Sequence, residues 1–206
     1  MEGGGGVDGG RPGRAVHLCL DMQRLFSPGG PWPTPWMVNS LPNIAAVAER
    51  FGERSVFTRF IPARDPGAEI GTWRDYYQRW SGLTLERLDP SLLDLVDELR
   101  PLARPDCIVD KRRFSAFSAP GLAPVLNGHG TDTLIVTGAE TDMCVLATVM
   151  DAVDHGYRVV VVEDAVCSSS DEGHDAALTL YRTRFAQQIE TLTTQAVLDR
   201  AEAWAL

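Results

Sequence analysis

Disulfide and metal signatures are what this sequence most lacks. Four cysteines occur in 206 residues, at positions 19, 107, 144 and 167, and no two form a C-x-x-C pair. That excludes a disulfide-stapled scaffold and points to free thiols in a reducing compartment. The four histidines (17, 129, 155, 174) are scattered without metal-ligand spacing, so no metal and no cofactor is expected. No apolar run is long enough to span a bilayer. The N-terminus is Gly-rich rather than apolar and does not read as a signal peptide. A cytoplasmic protein is the expectation. Basic residues are also scarce: 19 against 28 acidic, a net charge of -9. This argues against nucleic acid or an anionic membrane as the main partner. A small anionic substrate remains open, because one local Arg or Lys can outweigh the global field.

What is present suits a globular enzyme-sized domain, with 44% hydrophobic and 23% charged residues. Residues 1 to 14 form a Gly-rich tail with nothing to bury and are expected to be disordered. Residues 15 to 206 read as a single domain without repeat or linker. Apolar runs at 15–20, 55–61, 107–109, 133–137, 158–163 and 189–192 read as strands. Helical patterns fall between them at 37–51, 90–102, 120–127, 142–155, 171–187 and 195–206. Residues 27–36 and 62–72 read as loops. Residues 73–80 form an aromatic-rich segment that covers either a site, the core or a subunit interface. Strands alternating with helices predict an α/β fold: three layers, α/β/α, around a six-stranded, mainly parallel sheet.

In such folds sites form at the carboxyl ends of strands. Asp21, Lys111 and Cys144 each follow such an end. Cys144 is expected in the first turn of a helix capped by Thr141 or Asp142. There the unpaired N–H groups and the helix dipole favour a thiolate. The same N–H groups could receive the oxyanion formed when sulfur attacks a carbonyl. Cys144 read alone could equally be a packed core thiol.

Three segments together resemble the isochorismatase-like cysteine hydrolase superfamily, whose fold is Rossmann-related. They are Leu20-Asp-Met-Gln23 with Phe26, Lys111-Arg-Arg-Phe114-Ser115, and Gly138-Ala-Glu-Thr-Asp-Met-Cys144-Val145. Glu163-Asp-Ala165 and Gly173-His174 resemble it too. The resemblance implies an Asp21–Lys111–Cys144 triad and a cis peptide between Ala139 and Glu140. It also implies an oxyanion hole from the N–H groups of Glu140 and Cys144. Asp21 would take the thiol proton and Lys111 would keep Asp21 ionised. Cys144 would form a thioester with a small non-peptide amide, ureide, imide or lactam. Nicotinamidase relatives carry a histidine-based metal site after the second strand. Here that region is Phe60-Ile-Pro-Ala-Arg-Asp65, without histidine.

Candidate pocket residues are Phe26, Trp73, Tyr77, Trp80, Arg113 and Phe117, with Arg59 also considered. Gln23 is expected to brace the first loop. The resemblance also implies a homo-oligomer, dimer or tetramer. Two rivals stay open: a vinyl-ether hydrolase using Asp21 as acid without the thiol, and a non-catalytic binding domain of the same fold.

Overall fold

A computed structural model describes residues 14–204; the Gly-rich tail, apart from Arg14, and the last two residues lie outside it. Six strands form one sheet: β1 (Ala15–Leu20), β2 (Ser55–Phe60), β3 (Ile108–Lys111), β4 (Thr133–Ala139), β5 (Arg158–Cys167) and β6 (Ile189–Leu192). Their spatial order is β3-β2-β1-β4-β5-β6, and every neighbouring pair is parallel. The order reverses direction between β1 and β4, which makes the carboxyl ends of those strands the natural crevice for a ligand.

All six residues of β1 are buried, because the sheet is covered on both sides. Side chains alternate along a strand. Val16, Leu18 and Leu20 therefore pack under α3 (Leu122–Gly128), α4 (Leu146–Asp154) and α5 (Asp171–Thr183). Ala15 and Cys19 face the other way, onto α1 (Met37–Phe51) and α6 (Thr194–Arg200). His17 shares that second face. It bridges strands, with Nδ1 3.1 Å from Ser55 Oγ and Nε2 2.8 Å from Thr137 Oγ1.

Three segments depart from the sequence reading. Residues 90–102 are not an amphipathic helix but two short 3-10 turns, Pro90–Leu93 and Arg100–Leu102. Backbone bonds from Arg24 N to Asp94 O (3.0 Å) and from Val96 N to Met22 O (3.0 Å) pull the chain between them into a bridge. Leu95 and Leu99 still reach the core, so their apolar spacing is satisfied without a helix. Residues 71–79, read as the end of a loop followed by an aromatic-rich segment with no helix assigned, form α2 (Gly71–Arg79). The helix at 142–155 is split: Thr141–Val145 is a wide π-helical turn, and α4 begins only at Leu146. Neither Thr141 nor Asp142 caps it. Thr141 Oγ1 lies 2.8 Å from His174 Nδ1, and Asp142 accepts from Ser168 Oγ at 2.5 Å.

Candidate active site

Asp21 ends β1 in the left-handed region, at φ 51°, where a short polar side chain is better tolerated than a bulky one. Thr58 on β2 holds it from both ends. The Asp21 N–H donates to Thr58 Oγ1 at 3.2 Å, and that hydroxyl donates to Asp21 Oδ1 at 2.6 Å. Gln23 then ties the following loop down, accepting from Phe60 N (2.7 Å) and donating to Phe60 O (3.1 Å) and Leu93 O (2.9 Å). At the end of β4, Gly138 pairs with Leu20 at φ 111°. A Cβ there would collide with the Leu20 carbonyl oxygen, so only glycine lets the two strand ends meet. The next peptide bond, Ala139–Glu140, is cis.

Lys111 starts from the far edge of the sheet, paired with Phe60, and crosses that strand beside the Phe60 ring at 5.3 Å. Its Nζ reaches 2.7 Å from Asp21 Oδ2 and donates to Cys144 Sγ at 3.2 Å. Two carbonyls, Arg113 O at 3.0 Å and Phe114 O at 2.9 Å, also accept from it. Asp21 and Lys111 are each 1% exposed and Cys144 8%. Three residues 123 positions apart in the chain thus share one buried cluster at the sheet's carboxyl edge. Beyond the Lys111 ammonium, no donor among the described residues serves Asp21 Oδ2, which leaves a lone pair of that oxygen open.

Burial, and then the Asp21 charge, push the Cys144 thiol well above its ordinary value; Lys111 opposes this only in part. The thiolate expected from a helix N-terminus is therefore not the resting form. Burial lowers the Lys111 ammonium's affinity for its proton, but Asp21 and Cys144 outweigh it, so the net shift is upward. The ammonium and the thiol thus both keep their protons at rest.

A cavity of about 380 Å3 opens onto Cys144. Of the candidate pocket residues, Phe26 and Trp80 line it. Trp73 and Tyr77 do not. They form a small core behind it with Phe60 and Ala63, and Trp73 backs onto Phe114 at 4.9 Å. Phe117 packs away from the cavity, with the α3–α4–α5 layer, against His155 and Tyr157. Arg113 is held by Glu69 at 2.8 Å and lies over the Trp73 ring. Arg59 is forked onto Asp110 at 2.7 and 2.9 Å.

Sequence reasoning missed Trp32, Phe60, Tyr76, Phe114 and Met143, which complete the walls. Reading 73–80 as a helix would have found one of them. Positions four apart share a face, so Trp73 and Tyr77 look to the core while Tyr76 and Trp80 look to the cavity. Among the described residues no cluster of three or more His, Cys, Asp or Glu is arranged to hold a metal ion.

Known proteins with this sequence pattern share the arrangement's scaffold. The family model described as "Isochorismatase domain" matches residues 15–193. Maleamate amidohydrolase of Pseudomonas putida is 31% identical over 174 residues, 78% of this chain and 76% of that protein. N-carbamoylsarcosine amidase of an Arthrobacter species is 31% identical over 158 residues, 74% of this chain but only 59% of that protein. The crystal structure of a cysteine hydrolase from Pseudomonas syringae pv. phaseolicola superposes with a TM-score of 0.78 at 26% identity. The match covers 94% of this chain and 95% of that one.

Proposed function

The chain belongs to the isochorismatase family, and from that membership we propose that it hydrolyses a C–N bond of a small non-peptide amide, ureide, imide or lactam through a thioester on Cys144. Residues 15–206 act as one hydrolase domain. The observation that carries the reading is the Lys111 ammonium between Asp21 Oδ2 (2.7 Å) and Cys144 Sγ (3.2 Å) at the mouth of an apolar cavity.

In this mechanism Cys144 Sγ attacks the carbonyl carbon while its proton passes to Asp21. The negative charge moves to the carbonyl oxygen, which accepts from the Glu140 and Cys144 N–H groups. Among the described residues the Glu140 N–H makes no backbone hydrogen bond, which leaves it free for that role. The C–N bond then breaks as Asp21 returns the proton to the leaving nitrogen. Water attacks the thioester and gives its proton to Asp21. The acid leaves, and Asp21 reprotonates the thiol. Lys111 stays charged throughout and stabilises whichever neighbour is the anion. Each helper supplies about a hundredfold or more.

Four free cysteines support a reducing, cytoplasmic setting. A homo-oligomer is supported by the exposed apolar side chains of Val38 and Ile70; light scattering giving only monomer mass would remove that part. The proposal as a whole is tested by ammonia release from an amide panel, with mass spectrometry of enzyme quenched in acid. The expected result is an acyl adduct on the Cys144 peptide and no activity in Cys144→Ala. No ammonia from any amide, with a vinyl-ether substrate cleaved by Cys144→Ala but not by Asp21→Asn, would point instead to acid-catalysed vinyl-ether cleavage.

A further inference from the structure

The cavity beside Cys144 is walled by aromatic rings and holds no cation. Trp32 is its hub. It stacks on Phe26 at 6.1 Å with 6° between the planes, and it meets Tyr76 at 6.1 Å and Trp80 edge-on at 5.7 Å. Phe60 and Phe114 close the side nearest Lys111. No Arg, Lys or His is among the described residues that line the space.

Of the described cations near the site, Lys111 and Arg113 are already committed, and Arg79, over the Trp80 ring at 5.6 Å, is exposed and does not line the cavity. Lys111 has three protons and four partners: Asp21 Oδ2, Cys144 Sγ and the carbonyls of Arg113 and Phe114. Arg113 is held by both carboxylate oxygens of Glu69, at 2.8 and 3.4 Å, behind the Trp73–Phe114 pair. The one charged residue lining the cavity is Glu140, whose Oε1 accepts from Thr34 Oγ1 (3.2 Å) and Ser169 N (3.1 Å). A substrate carboxylate entering this space would lose its water, gain no cation and face Glu140. An unpaired buried charge is strongly disfavoured. A flat uncharged ring would meet aromatic faces in the offset and edge-on geometries that rings prefer. The phenol of Tyr76 is pushed well up by burial and by Tyr77, Cys144 and Glu140, so it stays a neutral donor at this wall.

Resting on the C–N hydrolase reading above, we propose that the substrate is an uncharged aromatic carboxamide, and that the site rejects amides carrying a second carboxylate. At about 380 Å3 the cavity falls at the lower end of the range for small-molecule sites, about 300–1,000 Å3, with room for a fused bicyclic ring.

Two measurements decide this. Ammonia release is compared for benzamide, 2-naphthamide, 4-carboxybenzamide and maleamate with the wild-type enzyme. Neutral ring amides are expected to lead their carboxylate-bearing counterparts by about 100-fold or more in kcat/KM, the scale of like-charge rejection. Binding of the same four compounds to Cys144→Ala is followed by quenching of Trp32 and Trp80 fluorescence. Here 2-naphthamide is expected to bind at least about tenfold more tightly than 4-carboxybenzamide or maleamate. Equal or tighter binding of the carboxylates overturns the proposal, and so does absence of binding by all four. The binding series needs no chemistry. If it favours 2-naphthamide while no amide releases ammonia and Cys144 takes no acyl group, the substrate class stands and the thioester reading fails. If maleamate acylates Cys144 and 2-naphthamide does not, the thioester reading stands and the substrate class fails.

Discussion

Lys111 Nζ donates to Cys144 Sγ at 3.2 Å, although two other strands separate β3 from β4 in the sheet. The lysine side chain makes that crossing beside the Phe60 ring, at 5.3 Å. The contact does not by itself produce a thiolate. Burial and Asp21 together outweigh it and hold the thiol proton on sulfur. Thiolate absorbance in the ultraviolet, taken as wild type minus Cys144→Ala, is therefore expected to stay flat from about pH 6 to about pH 9. A step near neutral pH would show a pre-formed ion pair and remove the need for Asp21 as proton acceptor.

Asp21 and Lys111 balance each other's charge. Asp21→Asn removes the proton acceptor and leaves the buried Lys111 ammonium without its carboxylate, so activity is expected to fall by about 10²–10⁴-fold together with a loss of stability. Lys111→Met leaves the Asp21 carboxylate buried opposite an apolar side chain. Breaking one partner of such a pair costs about 3–5 kcal/mol. The double variant Asp21→Asn/Lys111→Met is expected to recover most of that loss in urea titration while staying inactive. If Lys111→Met unfolds at the wild-type midpoint, the pair carries no structural weight and the cluster is more hydrated than its 1% exposure indicates.

The three clustered side chains, Asp21, Lys111 and Cys144, were legible in the sequence because each follows an apolar run whose end is easy to see. Lys111 carried a further signal: it is the only lysine in the chain, all other basic residues being arginine. A compact ammonium kept at one position in an arginine-rich chain suits a buried point charge better than a planar guanidinium does. The pocket walls were harder. Trp32 lies in a Pro-rich loop with no periodicity, and Phe114 lies in an irregular turn after β3, so nothing local says which way either ring points. The segment 90–102 was misread for a related reason. Its leucines have helical spacing, but the competing partner, the backbone around Met22 and Arg24, is some 70 residues away and invisible to a local pattern.

Arg113 tests the difference between a cation near a site and a cation in it. Its guanidinium belongs to Glu69, which is 5% exposed, and to the face of Trp73. Arg113→Ala is expected to leave KM within about twofold and to lower stability by roughly 1–3 kcal/mol, the cost of an unpaired buried acceptor. A rise in KM of about tenfold or more with unchanged stability would return Arg113 to the pocket, and with it anionic substrates.

His17 sets a stability limit away from the active site. Burial lowers its value from 6.5 to about 3, so the imidazole between Ser55 and Thr137 stays neutral in the folded protein. The unfolded chain takes up a proton at this position once the pH drops below about 6.5. Between about pH 6.5 and about pH 3 the unfolded state therefore holds more protons, and stability falls as pH falls, by about 1.4 kcal/mol per unit. Above about 6.5 the group is neutral in both states and adds no slope. The carboxylates held low by arginine partners, such as Glu190 and Asp106, act in a more acidic window, starting near their ordinary values of 4.5 and 3.8. From about pH 6.5 to about pH 5 the His17 contribution is thus separable from theirs. Urea titrations across that interval are expected to show a shallower pH slope in His17→Gln than in wild type, whatever the variant's absolute stability. Identical slopes would mean that folded His17 takes up its proton at an ordinary pH, which its burial between two hydroxyls argues against.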